Sequence, residues 1–437
     1  MENRISVRKL ALPGAAIFAG GLLGWLSITG TGWLLAVALG GVALFVFVPS
    51  ASVRAIVAFA FGTILIIASA TTFVPVGGTV ISVGLRVVGV AFLALSRLQE
   101  SCGTSVFGVE GRLGSSHMRS LLPWVIVSYS LYLVLSTALH GQWLNFILYG
   151  GGVVLLVIAL IATASVDPYD VVAKGVIVAL VFVLAMSCVY GLFVPSLGIA
   201  GTRLRGITSN GNTLGFYAFL LGSLALIEVK RAWVRHVLLT LSLVVVMWTS
   251  SRASLLALVI VIMCVFLSKI SKPAILTVFG LVGIVVVVGV LWPRAFDVLG
   301  GIIRGNNSRA LSFDTAIEAF RSSPLIGVGM GNNVDEIASS PLRALAFAGI
   351  GGLLAVVLLW LSFLWFSRKG GIQIIGFSAA AIVHSFFEGW MLSPIGPLLL
   401  VFVVCWWVIV RPSLTPAPLG SPSTRYDVVA GRRGWRT

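Results

Sequence analysis

Along most of this chain the apolar positions do not alternate with polar ones; they run on. Apolar stretches of roughly 18 residues or more, the length that crosses a bilayer as helix, recur from Leu10 to Val410. They predict spans at 10–29, 32–48, 53–74, 77–96, 121–139, 143–163, 174–195, 213–229, 237–250, 253–268, 273–292, 341–366, 371–392 and 394–410. The pattern therefore predicts an all-α fold, a polytopic transmembrane helical bundle of about 12 to 14 helices. One membrane domain would occupy 1–410, and a basic cytoplasmic tail 411–437. Composition agrees: of 437 residues 59% are hydrophobic and only 10% charged, against about 25% charged in a soluble domain. A soluble fold is excluded.

The formal net charge is +16, which in such a chain speaks of membrane orientation before nucleic acid. No nucleic-acid module is visible, so membrane lipid is the first partner. Arg4, Arg8 and Lys9 precede the first apolar run, but no small-residue cleavage site follows, so the run reads as a retained helix and not a signal peptide. With the N-terminus in the cytoplasm, every lysine and most arginines fall on the cytoplasmic side, and both termini lie there. The opposite side then holds only arginines, namely Arg203, Arg205, Arg252, Arg294, Arg304, Arg309 and Arg321, while Arg86 and Arg343 fall within spans. Arginine presents a fixed fork of donors for bidentate binding of phosphate or carboxylate and keeps its charge when partly buried. The outer face reads as built for anions, with the general excess of arginine over lysine as the competing explanation. Cys102, Cys188, Cys264 and Cys405 lack metal-ligand spacing and read as buried thiols.

The longest outer segment, 293–340, exceeds ordinary connections, which makes it a functional candidate. Within it Leu311, Phe313, Ile317 and Phe320 recur at helical spacing and predict an amphipathic helix at the membrane surface. Ser322-Ser323-Pro324 then turns the chain into Gly327-Val328-Gly329-Met330-Gly331, where glycines permit close backbone approach. Packing is the favoured reading of that turn, ahead of phosphate binding. Asp335 and Glu336 read as a solvated turn, and His117, His140 and His236 as interfacial residues.

Three pieces, in order, resemble the O-antigen ligase and polysaccharide polymerase superfamily of bacterial envelope proteins. The first is Arg203-Leu204-Arg205-Gly206-Ile207-Thr208-Ser209-Asn210-Gly211-Asn212, similar to an arginine and glycine pair followed by Asn-Pro-Asn at an outer helix start, with Gly211 in place of proline. The second is Ser250-Ser251-Arg252-Ala253-Ser254, similar to the Ser-Arg-Gly or Ser-Arg-Ala element. The third is Arg309, Phe313 and Ala316 followed by Pro324-Leu325-Ile326-Gly327-Val328-Gly329, similar to the family's Pro-Leu-x-Gly-x-Gly turn. One departure stands out. Family members with ligase activity carry a His-Asn pair before a Glu-x-Gly after the large loop, and 337–349 has neither histidine nor glutamate here. That favours a polymerase, a ligase with another base, or a divergent member.

The resemblance implies a fold of the GT-C type in the bacterial cytoplasmic membrane. It implies a glycan donor linked to undecaprenyl diphosphate and a glycan or glycolipid acceptor, joined at the outer face. Developing charge on a diphosphate leaving group is stabilised by preorganised arginines, and Arg205, Arg252 and Arg309 are the candidates. Arg203, Asn210, Asn212, Arg321, Arg343 and Arg86 are candidate substrate contacts, with helix pairing as the alternative for Arg86 and Arg343. His384 and Glu388, four apart, would share a helix face, and ionisable groups inside a membrane default to function. Either is a candidate general base, with a structural hydrogen bond between them as the alternative. No Asp-x-Asp occurs, so no metal or other cofactor is expected. A carrier or flippase of an anionic lipid-linked solute is the second class, against which stands the lack of a visible internal repeat.

Overall fold

The computed structural model describes residues 50–71, 79–101, 109–166, 169–268, 308–330 and 337–414. The candidate spans 10–29, 32–48 and 273–292, the acids Asp335 and Glu336, and most of the tail lie outside the described residues. The helices are α1 (Ala51–Ala68), α2 (Thr79–Ser101), α3 (Val109–Ser136), α4 (Trp143–Ser165), α5 (Tyr169–Phe193), α6 (Gly211–Glu228), α7 (Ala232–Thr249), α8 (Arg252–Leu267), α9 (Ser308–Ser322), α10 (Ser340–Ser367), α11 (Ile372–Phe387) and α12 (Pro397–Leu414). Six of them, α3 to α7 and α10, are long and apolar enough to cross a membrane, and α1, α2, α8, α11 and α12 are shorter apolar helices. The protein is an all-α polytopic membrane protein. Among the described residues, strand is confined to a small hairpin of β1 (Ile199–Ala200) and β2 (Arg203–Leu204), beside an isolated bridge between Thr71 and Thr208.

A helix that is apolar all round belongs at the centre of a bundle, and α12 is such a helix. Every residue from Leu399 to Val410 is buried, packed among α1, α4, α5 and α6. The indole N–H of Trp406 finds hydroxyl partners in Ser378 and Ser367 at 3.0 and 3.2 Å, as a buried polar group requires. Most of α6 is buried as well. Outer helices instead expose Trp143, Leu144 and Ile147 on α4, Met247 on α7, and Leu361 and Trp365 on α10, an apolar surface suited to lipid.

Successive helices joined by short corners put their ends on alternate sides. The ends of α1, α3, α5, α7 and α11 and the starts of α6, α8 and α10 therefore gather on one side, with the β-hairpin. The other side carries Lys174, Lys230, Arg231, Arg368 and Lys369, together with Arg411, whose guanidinium caps the Val166 carbonyl at the end of α4.

In the large loop, α9 forms where the periodicity places a helix, but it turns a different face inward. Ala316 and Ala319 are buried against Ile337, Ala346 and Phe347, whereas Phe313 is 48% exposed. Small side chains let the helix lie close to α10; the bulkier Phe313 is left outside. The following turn is stitched to a break in α10 at Gly349. Val328 N–H donates to the Ala346 carbonyl at 2.9 Å and Gly329 N–H to that of Phe347 at 3.1 Å. Ile350 N–H returns a bond to Pro324 O at 2.9 Å, and Met330 N–H reaches Ser136 O at 2.7 Å. With Gly327 N–H on Ser323 O, the amides of 327–330 are all spent on protein, which supports the packing reading. His140 contributes too: its Nε2 lies 3.1 Å from Gly327 O, so it anchors the loop instead of being a plain interfacial residue.

Gly349 has φ 60° and ψ −151°, a region essentially confined to glycine, and an added Cβ would come within 2.5 Å of Pro324 O. Gly349→Ala should therefore destabilise the protein by about 1–3 kcal/mol from backbone strain alone. Thermal unfolding in detergent checks this: the midpoint should fall for Gly349→Ala but not for Gly151→Ala, whose added Cβ meets nothing within 4 Å. Equal midpoints for both would contradict the stitched-turn description.

Candidate functional site

The site starts from the cap of α6. Asn210, at the N-cap, accepts the Asn212 backbone N–H on its side chain at 2.9 Å, satisfying one of the first free amides of the helix. Asn212, one turn position further in, makes two side-chain bonds. Its Oδ1 accepts from Arg203 Nη2 at 2.5 Å, and its Nδ2 donates to Glu388 Oε1 at 2.6 Å. Arg203 comes from β2 and is itself fixed by donation from Nε to Thr249 O at 2.8 Å. That carbonyl is the last of α7, where the helix dipole favours a cation. Gly211 keeps the cap close to the hairpin: an added Cβ would lie 2.9 Å from Leu204 O.

Glu388 does not share a helix face with His384. Helix α11 ends at Phe387, and Glu388 is extended, with φ −141° and ψ 136°, which turns its side chain away from the α11 register and toward α6. Ser340 Oγ donates to the Glu388 carbonyl at 2.8 Å, fixing the backbone here from the first turn of α10. Arg343, one turn on, packs against Gly389, where an added Cβ would be 2.8 Å from its Cζ. Its Nε donates to Ile337 O at 3.2 Å.

His384 stays inside the bundle at 1% exposure, with Phe216 and Phe219 against its ring. The indole N–H of Trp390 donates to its Nδ1 at 3.0 Å, and its Nε2 lies 3.1 Å from Ser254 Oγ. An indole nitrogen only donates, so Nδ1 carries the lone pair and the ring proton sits on Nε2, donated to Ser254. Ser254 in turn meets Ser251 at 2.8 Å. Both ring nitrogens of His384 are thus engaged with protein partners.

The remaining candidates divide. Arg205 follows Arg203 on the hairpin, half-buried, and donates from Nε to Leu197 O at 2.7 Å. Arg252 opens α8, exposed, directly after the corner where Ser250 adopts φ 50°. Arg321 is exposed at the end of α9. Arg309 stands in the first turn of α9, and its side chain lies outside the described part. Arg86 donates from Nε to Ser69 Oγ, from Nη2 to Ser82 Oγ and from Nη1 to Ile395 O, at 2.9, 2.7 and 2.9 Å. With three bonds spent on holding α1, α2 and the 393–396 turn together, Arg86 fits helix pairing. The structure thus brings Arg203, Asn212, Glu388 and Arg343 together, with Arg205 on the same hairpin and Arg252 close along the chain from Thr249. Sequence reasoning passed over Thr249, Ser340 and Trp390, and named Ser254 only as the end of the Ser250 to Ser254 element. Only the Ser251 to Ser254 spacing, one helical turn, offered a signal. Among the described residues no three His, Cys, Asp or Glu side chains converge.

Fold and site define a polytopic helical membrane protein with arginines and one carboxylate gathered at one end of its bundle. Against known families, the O-Antigen ligase model matches residues 237–346, from early α7 into the first turns of α10, a stretch holding Arg252, Arg309 and the stitched turn. Over that stretch the chain resembles the O-antigen ligase and polymerase superfamily, and the match supports a glycan-transferring membrane enzyme of the ligase or polymerase type. No curated protein matches the chain.

Trp390→Phe removes the donor to His384 and leaves a buried acceptor without its partner, at a cost of about 1–3 kcal/mol. The thermal midpoint in detergent should fall accordingly. An unchanged midpoint would contradict the assignment of the ring proton to Nε2.

Proposed function

We propose that the protein transfers a glycan from an undecaprenyl-diphosphate-linked donor to a sugar hydroxyl of a glycan or glycolipid acceptor. In this reading 1–410 is one membrane domain of the GT-C type in the bacterial cytoplasmic membrane, with 293–340 as its outer loop. Both termini and the tail 411–437 are cytoplasmic. The observation that carries the reading is the side chain of Glu388, held by Asn212 at the end of the bundle where Arg205 and Arg252 also emerge. Lysines among the described residues sit toward the other end, and positive charge favours the cytoplasm, which supports an outward-facing site.

Chemically, the acceptor hydroxyl attacks the anomeric carbon as the glycosidic bond to phosphate breaks, inverting that centre. The hydroxyl proton goes to the Glu388 carboxylate, and the electron pair of the breaking bond goes to the diphosphate. Arg205, Arg252 and Arg309 take up the developing negative charge, the role a divalent metal fills in many glycosyltransferases, so the proposed reaction is metal-independent. Arg321, Asn210 and Arg343 flank the substrate in this scheme. Arg86 is given to helix pairing, and His384, whose nitrogens are occupied, to packing.

The test uses purified protein in liposomes with a fluorescent lipid-linked glycan and its acceptor. Wild type should convert donor to longer or transferred product. Arg205→Ala, Arg252→Ala and Arg309→Ala should each slow conversion by about 10²–10³, the usual effect of losing one group that stabilises transition-state charge. Normal activity in all three variants would overturn the diphosphate site. Movement of the lipid across the bilayer without chemical change would overturn the enzyme in favour of a carrier.

A further inference from the structure

We propose that Arg203 and Asn212 are positioning residues that orient the Glu388 carboxylate, and not contacts to the sugar. The proposal rests on the reading of Glu388 as the base. Its ground is how the donors and acceptors of these side chains are used. Asn212 has one carbonyl oxygen and one amide nitrogen, and each makes a bond within the protein, to Arg203 and to Glu388 respectively. A primary amide can rotate by half a turn and exchange these ends, which would aim its oxygen at the Glu388 carboxylate, acceptor against acceptor. Arg203 forbids the exchange, because a guanidinium only donates and cannot face the amide NH₂. Arg203 therefore selects the single amide orientation that presents an N–H to Glu388.

The arginine is held in turn. Its Nε is bound to Thr249 O, and its own strand is packed tightly on the α6 cap, where a Cβ added at Gly211 would stand 2.9 Å from Leu204 O. Ser340 fixes the Glu388 backbone from the other side. The sequence of constraint runs from the end of α7, through the hairpin arginine and the α6 cap, to the residue after α11. This explains why the asparagine sits two residues past the N-cap: the cap fixes the backbone, and the side chain is left to reach across to α11.

A hydrogen bond to the charged form of a carboxylate favours that form. Loss of the Asn212 N–H should make Glu388 easier to protonate, so the base is lost at higher pH. Among the described residues, the charged groups nearest Glu388 along these contacts are Arg203, through Asn212, and Arg343 on α10 beside Gly389, and the titratable group on the preceding helix is His384. None is removed by Asn212→Ala, so a shift in that variant reports the amide.

The experiment measures initial transfer rates against pH in the liposome assay for wild type, Asn212→Ala, Arg203→Ala, the Arg203→Ala/Asn212→Ala double variant, Arg203→Lys and Glu388→Gln. Glu388→Gln should be inactive at every pH. In Asn212→Ala the acid limb of the profile should move up by about one pH unit, with part of the rate recovered on the alkaline side. Arg203→Ala should move it the same way, and the double variant little further, because the two act in series. Arg203→Lys, which keeps a donor-only cation, should restore part of the shift. An inactive Glu388→Gln with unmoved acid limbs in the Asn212 and Arg203 variants overturns the positioning role and leaves the base reading intact. An active Glu388→Gln overturns the base reading and the positioning role with it. If Asn212→Ala does not fold, Asn212→Leu, which fills the same space without a donor and likewise removes no charge, decides by the same criterion.

Discussion

Polar groups withdrawn from water must find partners or cost free energy, and at one end of this bundle that constraint joins four helices around the end of a fifth. Asn212 of α6 bonds the Glu388 side chain, Ser254 of α8 bonds His384, and Ser340 of α10 bonds the Glu388 carbonyl. Arg203 reaches from the hairpin to the last carbonyl of α7. Each bond links segments distant in sequence, so none forms until the helices are packed. The central helix α12 supplies the packing, since its apolar surface faces protein on all sides. The site is thus a product of the bundle and not of any single motif.

The same accounting explains the large loop. A membrane helix interrupted at Gly349 frees carbonyls that a continuous helix would satisfy, and the turn 324–329 supplies their donors. The turn is therefore structural even though its glycines look like those of an anion-binding loop. What the turn fixes is the placement of α9 against the first turns of α10. His384 makes a similar point. It is an ionisable group within a span, and its nitrogens are taken up by Trp390 and Ser254, which relates the α11 end to α8.

Much of the architecture was legible in the sequence, because a span needs only a long apolar run and every such run among the described residues became a helix. Boundaries read less well near Glu388. Hydrophobicity continues through Phe386 and Phe387 into Trp390, Met391 and Leu392, so the pattern predicts one helix to 392, whereas the chain leaves the helix at Phe387 and makes a short turn at Gly389–Leu392. That single difference separated Glu388 from His384. The inward face of α9 was missed for a related reason: periodicity marks large apolar residues, and the contact with α10 is made by alanines. Arg203, Asn212 and Glu388 stood out as residue types, but their mutual bonds depend on how α6 meets α11, which no local pattern encodes.

The central claim is that the arginines on this side of the bundle hold the diphosphate of a lipid carrier. Direct binding tests it: purified wild type in nanodiscs is titrated with undecaprenyl diphosphate and with the uncharged alcohol of the same chain. The diphosphate should bind at least about tenfold more tightly, the margin of one or more charge-assisted contacts, and a variant lacking Arg205, Arg252 and Arg309 together should lose that margin. Equal affinity of wild type for the diphosphate and the alcohol would contradict the account.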